Sequence, residues 1–137
     1  MIIDATNLIL GRLGSFAAKR ALLGEKIDII NCEKAVITGR KAWAFAEFRR
    51  RNKQGTFKGP FLYKKPDRFV KRAIRGMLPY KREAGKNAFK SIKCYMGIPE
   101  TLGSQKAETI DGANISKMSN TKYTYIGDIC RKLGAKI

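Results

Sequence analysis

The sequence predicts an α/β sandwich around a mostly parallel sheet. Short β-branched runs alternate with helical runs in the order β, α, β, β, α, and parallel strands need helical crossovers of this kind. The length of 137 residues and the 44% hydrophobic content suit one core of ordinary size, so one folded unit over 1–137 is expected.

Residues 2–4, Ile-Ile-Asp, read as the first strand. The run LGRLGSFAAKRALLG then sets Leu10, Leu13, Ala17 and Ala21 at helical spacing, with Gly24 as a stop. KIDIIN (26–31) and AVIT (35–38) are strand-like. Thr38 is placed to cap a helix from about Gly39 to Lys53, with Trp43 and Ala46 turned inward. Residues 52–65, NKQGTFKGPFLYKK, mix glycine, proline, aromatics and cations without a period and predict an extended basic and aromatic loop. Pro66 opens a further helix with an apolar stripe of Phe69, Val70, Ala73, Ile74 and Met77, closed near Gly76 by Pro79. A helix from about Arg82 to Ser91 follows, with Ala84, Ala88 and Ile92 on one side, and then a strand at 93–97. Residues 104–122 predict a polar connection over the surface. Order returns at 123–137 as a strand, YTY, and a small helix with Ile126, Ile129, Cys130 and Leu133 inward.

Charge decides the class of partner. Lys and Arg number 29 against 11 Asp and Glu, giving a net charge of +18 and a pI near 10.2. Small soluble domains usually carry a net charge of about 2 to 8, so this excess points to a polyanion. A membrane surface is less suitable, because no strong amphipathic anchor and no span-length apolar run is present. The first residues, MIIDATNLILGRLGS, lack a basic leader region, and a cytosolic location follows by default. Cys32, Cys94 and Cys130 are far apart and suit reduced thiols rather than a disulfide or metal framework. Histidine is absent, which removes the commonest acid–base residue and metal ligand.

Between Arg40 and Lys93 there are 18 Lys or Arg and three acids, Glu47, Asp67 and Glu83. On the helix from Pro66, Arg68, Lys71, Arg72 and Arg75 lie opposite the apolar stripe, and Lys86, Lys90 and Lys93 repeat the spacing on the next helix. Each helix thus has one side for a core and one for phosphates. The remaining candidate phosphate contacts are Arg12 in the first helix, Arg40, Lys41, Arg49, Arg50, Arg51 and Lys53 around the second, Lys58, Lys64 and Lys65 in the loop, and Lys81 and Arg82 in the turn after the third. Phe69 reads as a core ring, whereas Phe57, Phe61 and Tyr63 suit both stacking on unpaired bases and pinning the loop. LGRLGS resembles a phosphate-cradling turn only loosely, so a small nucleotide-binding or RNA-modifying enzyme is a distant alternative. Asp4, Asp28, Glu33 and Glu47 form no catalytic or metal pattern. By charge alone, a general nucleic-acid-binding or DNA-compaction protein remains an alternative.

Three blocks carry a resemblance: 2–39, IIDATNLILGRLGSFAAKRALLGEKIDIINCEKAVITG; 60–99, which contains RGMLPYK at 75–81; and 122–134, KYTYIGDICRKLG. They resemble the universal large-subunit ribosomal protein L-thirteen family, in the form typical of archaea and the eukaryotic cytosol. The resemblance implies a three-layer α/β/α domain with a small, mainly parallel sheet of about four strands. It implies docking on large-subunit ribosomal RNA beside neighbouring ribosomal proteins, with no cofactor, no catalysis, no membrane and no small-molecule substrate. Arg75, Gly76, Met77, Leu78, Pro79 and Lys81 fall on the family signature, which makes Arg75 and Lys81 RNA contacts and Met77 and Leu78 core anchors. Tyr80, Gly14 and Cys32 depart from it, standing where relatives often have His, Ala and Ala.

Overall fold

The computed structural model describes residues 1–119 and 122–137. Strands β1 (Ile2–Asp4), β2 (Ile27–Ile30) and, later in the chain, β6 (Ile92–Cys94) form a parallel sheet in the order β1-β2-β6. Ile3 pairs with Ile29 and Ile29 with Cys94, which puts the isoleucine-rich β2 in the middle. A strand with neighbours on both sides has no edge to solvate, and Ile27, Ile29 and Ile30 are all buried.

The crossover from β1 to β2 is α1 (Leu10–Leu22), whose Leu13, Ala17, Ala18 and Ala21 are buried. Gly24, at a φ of 92°, turns the chain back towards β2. After β2, Asn31 takes a left-handed φ of 55° and a short 3-10 turn at Cys32–Lys34 redirects the chain. That turn takes β3 (Val36–Thr38) out of the parallel sheet, which therefore has three strands where about four are expected. β3 instead pairs antiparallel with β7 (Tyr123–Tyr125), Ile37 opposite Thr124.

Helix α2 (Lys41–Lys53) starts from Arg40 with no side-chain cap, so the expected Thr38 cap is not formed. Trp43 and Ala46 face solvent rather than the core. Ala44 is the buried position, clustered with Ile129 of α5 (Ile126–Lys132) and with Leu133 just after it, because α2 lies against that late helix. The expected 52–65 loop contains a minimal hairpin, β4 (Gly55–Thr56) with β5 (Gly59–Pro60), turned at Phe57 and Lys58 and entering β5 at Gly59 with a φ of 96°.

Helix α3 (Pro66–Met77) buries Phe69, Val70 and Ile74, each contributing about 1.5–3 kcal/mol of apolar burial. It packs on α1, and α4 (Glu83–Ser91) packs on α1 beside it before β6 completes the sheet. In α4 the buried positions are Gly85 and Ala88, while Ala84 is exposed. The 104–122 connection is partly woven into the fold. Glu108 exchanges backbone hydrogen bonds with Ile2 and Asp4, at 2.9 and 3.0 Å, which covers the otherwise open edge of β1, and Ala113 is buried.

Candidate nucleic-acid interface

Helix α3 divides as its sequence requires. Phe69, Val70 and Ile74 enter the core, Arg68 and Arg72 are exposed on the other side, and Lys71 and Arg75 are half-buried between. These four cations line one groove of about 260 Å³, together with Tyr63 from the preceding segment and Phe89 from α4. Among the described residues no ion pair engages any of the four. Each instead lies against an aromatic ring: Lys71 Nζ is 5.0 Å from the Phe89 centroid, the Arg75 guanidinium 5.2 Å from Tyr80, and Arg68 and Arg72 are 6.0 and 5.9 Å from Tyr63. Arg72 also donates to the Phe61 carbonyl at 3.0 Å. Rings and carbonyl hold the long side chains in place without neutralising them, which lowers the entropy cost of gripping an anion.

The other predicted cations divide into several groups. Arg50 and Arg51 donate to the Glu47 carboxylate at 2.7–3.0 Å. The bonds from Arg50 and Arg51 pull the Glu47 carboxyl down to about 2, and the Arg50 guanidinium is raised in return. These two arginines are thus partly compensated within the chain. Arg12 is pinned elsewhere, donating to the Gly112 carbonyl at 2.8 Å, and lines a separate depression with Thr38 and Lys117. Arg40, Lys41, Arg49, Lys53, Lys58, Lys64 and Lys65 are exposed around α2 and the hairpin segment. Lys81, Arg82, Lys86 and Lys90 are exposed on the turn after α3 and on α4.

Within the signature at 75–81, Leu78 is buried, but Met77 is 42% exposed. Met77 sits at the helix end with its thioether against Gly14 of α1, a lid over the packing rather than a core anchor. The sequence does not point to Lys132, and Lys93, expected on the cationic side of the helix that carries Lys86 and Lys90, lies in strand β6 instead. Lys93 lines a small depression with Arg68 and Lys71. Lys132 lies 4.4 Å from the Phe45 ring and shares a cavity with Arg49, in a helix legible only by its apolar side.

The carboxylates serve the fold. Asp4 accepts from the Thr6 amide and hydroxyl and from Asn31 Nδ2, at 2.7–3.0 Å. Burial raises the Asp4 carboxyl, but those bonds outweigh it and the net shift is downward. Glu33 accepts from the Gly97 amide at 3.1 Å. Among the described residues no cluster of His, Cys, Asp or Glu has the arrangement of a metal site, and no helix is long and apolar enough to cross a membrane.

The family described as Ribosomal protein L13 matches residues 1–101. The chain is 45% identical over 136 residues to a protein of Methanococcoides burtonii, covering 98% of both chains. It is also 45% identical over 137 residues to one of Methanosarcina barkeri, covering 98% of both. Against one of Archaeoglobus fulgidus it is 43% identical over 135 residues, covering 97% of this chain and 86% of the relative. Each of these relatives bears the name large ribosomal subunit protein uL13.

Proposed function

The chain belongs to the ribosomal protein L13 family, in its archaeal type, and from that membership we propose that it is a structural constituent of the large ribosomal subunit. It binds large-subunit ribosomal RNA through its basic surface, sits beside neighbouring ribosomal proteins in the cytoplasm, and supports subunit assembly and translation. It performs no catalysis of its own.

The observation that carries this reading is the groove of α3. Four ring-braced cations, Arg68, Lys71, Arg72 and Arg75, face outward from a helix whose opposite side is locked in the core. Side chains so placed neutralise phosphates where backbone strands converge, releasing counterions as they do so. Phosphate contacts position without reading sequence, so selectivity comes from RNA shape and from several strands being held at once. The exposed cations of α2, the hairpin segment, the turn after α3 and α4 extend the same surface.

Sedimentation of a salt-washed cell extract tests the assignment. The chain co-migrates with large subunits; a chain left at the top of the gradient overturns it. Competition at matched salt adds specificity: a folded ribosomal RNA fragment outcompetes duplex DNA, and equal affinity favours a general nucleic-acid binder instead.

A further inference from the structure

Beside the cationic groove lies a larger apolar cleft of about 760 Å³, inside the range of roughly 300–1,000 Å³ typical of small-ligand clefts. Its walls include Phe48 and Phe69, with ring centroids 5.0 Å apart, and the exposed rings of Phe61 and Tyr63. Arg51 and Arg72 stand among them, both exposed. We propose that this cleft receives the base of one unpaired nucleotide of the bound RNA, whose flanking phosphates lie on Arg68 and Arg72 in the adjoining groove. The proposal rests on the RNA-binding reading above and adds a single-stranded element to it.

Two features of the site select this occupant. Tyr63 and Arg72 line both the groove and the cleft, so a backbone lying along the groove brings an adjacent base to the cleft without a break in contact. The cleft also pairs flat apolar walls with fixed positive charge: Arg72 is held by the Phe61 carbonyl, while Arg51, 5.6 Å from the Phe48 centroid, keeps Glu47 as its partner. An apolar side chain of a protein partner fills such walls but brings no counter-charge for the Arg72 guanidinium. A nucleotide supplies a π-face and a phosphate together, and base–aromatic stacking tolerates any base.

The test uses the full chain and a short single-stranded RNA with 2-aminopurine at one central position. Binding quenches the fluorophore as it enters the stack. The double change Phe61→Leu and Tyr63→Leu keeps the walls apolar, removes two rings, and weakens binding by roughly 5- to 150-fold. The salt slope stays that of the unaltered protein, because every cation is retained. An abasic site in place of 2-aminopurine costs the unaltered protein a similar factor and costs the variant almost nothing further. An abasic site without effect on the unaltered protein overturns the base-insertion proposal, and that arm does not depend on any variant folding. A salt-independent affinity of the unaltered protein would instead overturn the phosphate reading beneath it. With p-benzoylphenylalanine in place of Phe61 in assembled large subunits, a photo-crosslink to RNA supports the proposal, and one to a protein chain overturns it.

Discussion

Two glycines that contact the signature segment make opposite predictions for the same substitution. In α4, a Cβ added to Gly85 meets the carbonyl carbon and oxygen of Pro79 and lies 2.9 Å from the Tyr80 amide nitrogen. In α1, a Cβ added to Gly14 meets the Met77 sulfur at 2.8 Å and its methyl at 3.0 Å, the far end of a flexible, half-exposed side chain. Alanine in a helix interior is worth up to about 1 kcal/mol over glycine. At Gly14 the thioether swings aside at small cost, so Gly14→Ala is neutral or stabilising by up to about 1 kcal/mol. At Gly85 the obstacle is backbone, and overpacking costs typically about 1–3 kcal/mol, which exceeds the propensity gain. Gly85→Ala is therefore destabilising by about 1–2 kcal/mol, and it displaces the turn that carries Lys81 and Arg82. Urea melts followed by circular dichroism, at fixed ionic strength and without phosphate or sulfate, measure both, since a bound polyanion masks differences in the free protein. Equal effects, or a Gly14→Ala loss larger than that of Gly85→Ala, would refute the reasoning. An RNA affinity unchanged in Gly85→Ala would separate the turn from the interface.

Arg75→Ala weakens RNA binding and lowers the salt slope by roughly 1 for each phosphate the guanidinium grips. Arg72→Ala does the same and also frees the Phe61 carbonyl; unchanged slopes in both variants count against α3 as the grip. Glu47, whose folded carboxyl lies at about 2 against an ordinary 4.5, stabilises the fold above the ordinary value and loses that contribution as pH falls towards 2. In Glu47→Gln the acid limb of the stability profile between those values flattens, and release of Arg50 and Arg51 steepens the salt dependence of RNA binding; an unchanged acid limb removes the assigned role. Burial pushes the Cys130 thiol up to about 12, and contact with Cys94 together with burial raises Cys32. Iodoacetamide at pH 8 therefore spares both in the native protein and modifies them in denaturant, as read by mass spectrometry.

The parts of the fold legible in the sequence are those with strong local periodicity. α1 and α3 announce themselves because Leu13, Ala17 and Ala21, or Phe69, Val70 and Ile74, recur on one side and are flanked by a glycine stop or a proline start. The inward face of α2 is misread because its largest side chain, Trp43, turns to solvent, while the small Ala44 is buried and Phe45 and Phe48 pack beside it against Ile129 and Leu133. No local pattern reveals a partner nearly ninety residues away. The same holds for β3, whose three residues read as one more parallel strand until Asn31 and the 3-10 turn send them to β7. On α3, alternation of cationic and apolar residues is enough to separate the side that enters the core from the side that bears charge. It does not reveal that Glu47 already occupies Arg50 and Arg51, or that rings from three different segments brace the cations of α3.

The antiparallel ladder between Val36–Thr38 and Tyr123–Tyr125 has a consequence for the order in which the molecule matures. Its two halves are synthesised far apart in time, and loop closure over such a separation is slow. Until residues 123–133 emerge, Ile126, Ile129 and Cys130 are missing from the interior, Ala44 has no cover, and α2 cannot settle. The stretch from Tyr123 to Leu133 therefore acts as a latch: a chain interrupted before it already carries most of its net positive charge on a surface without its final shape.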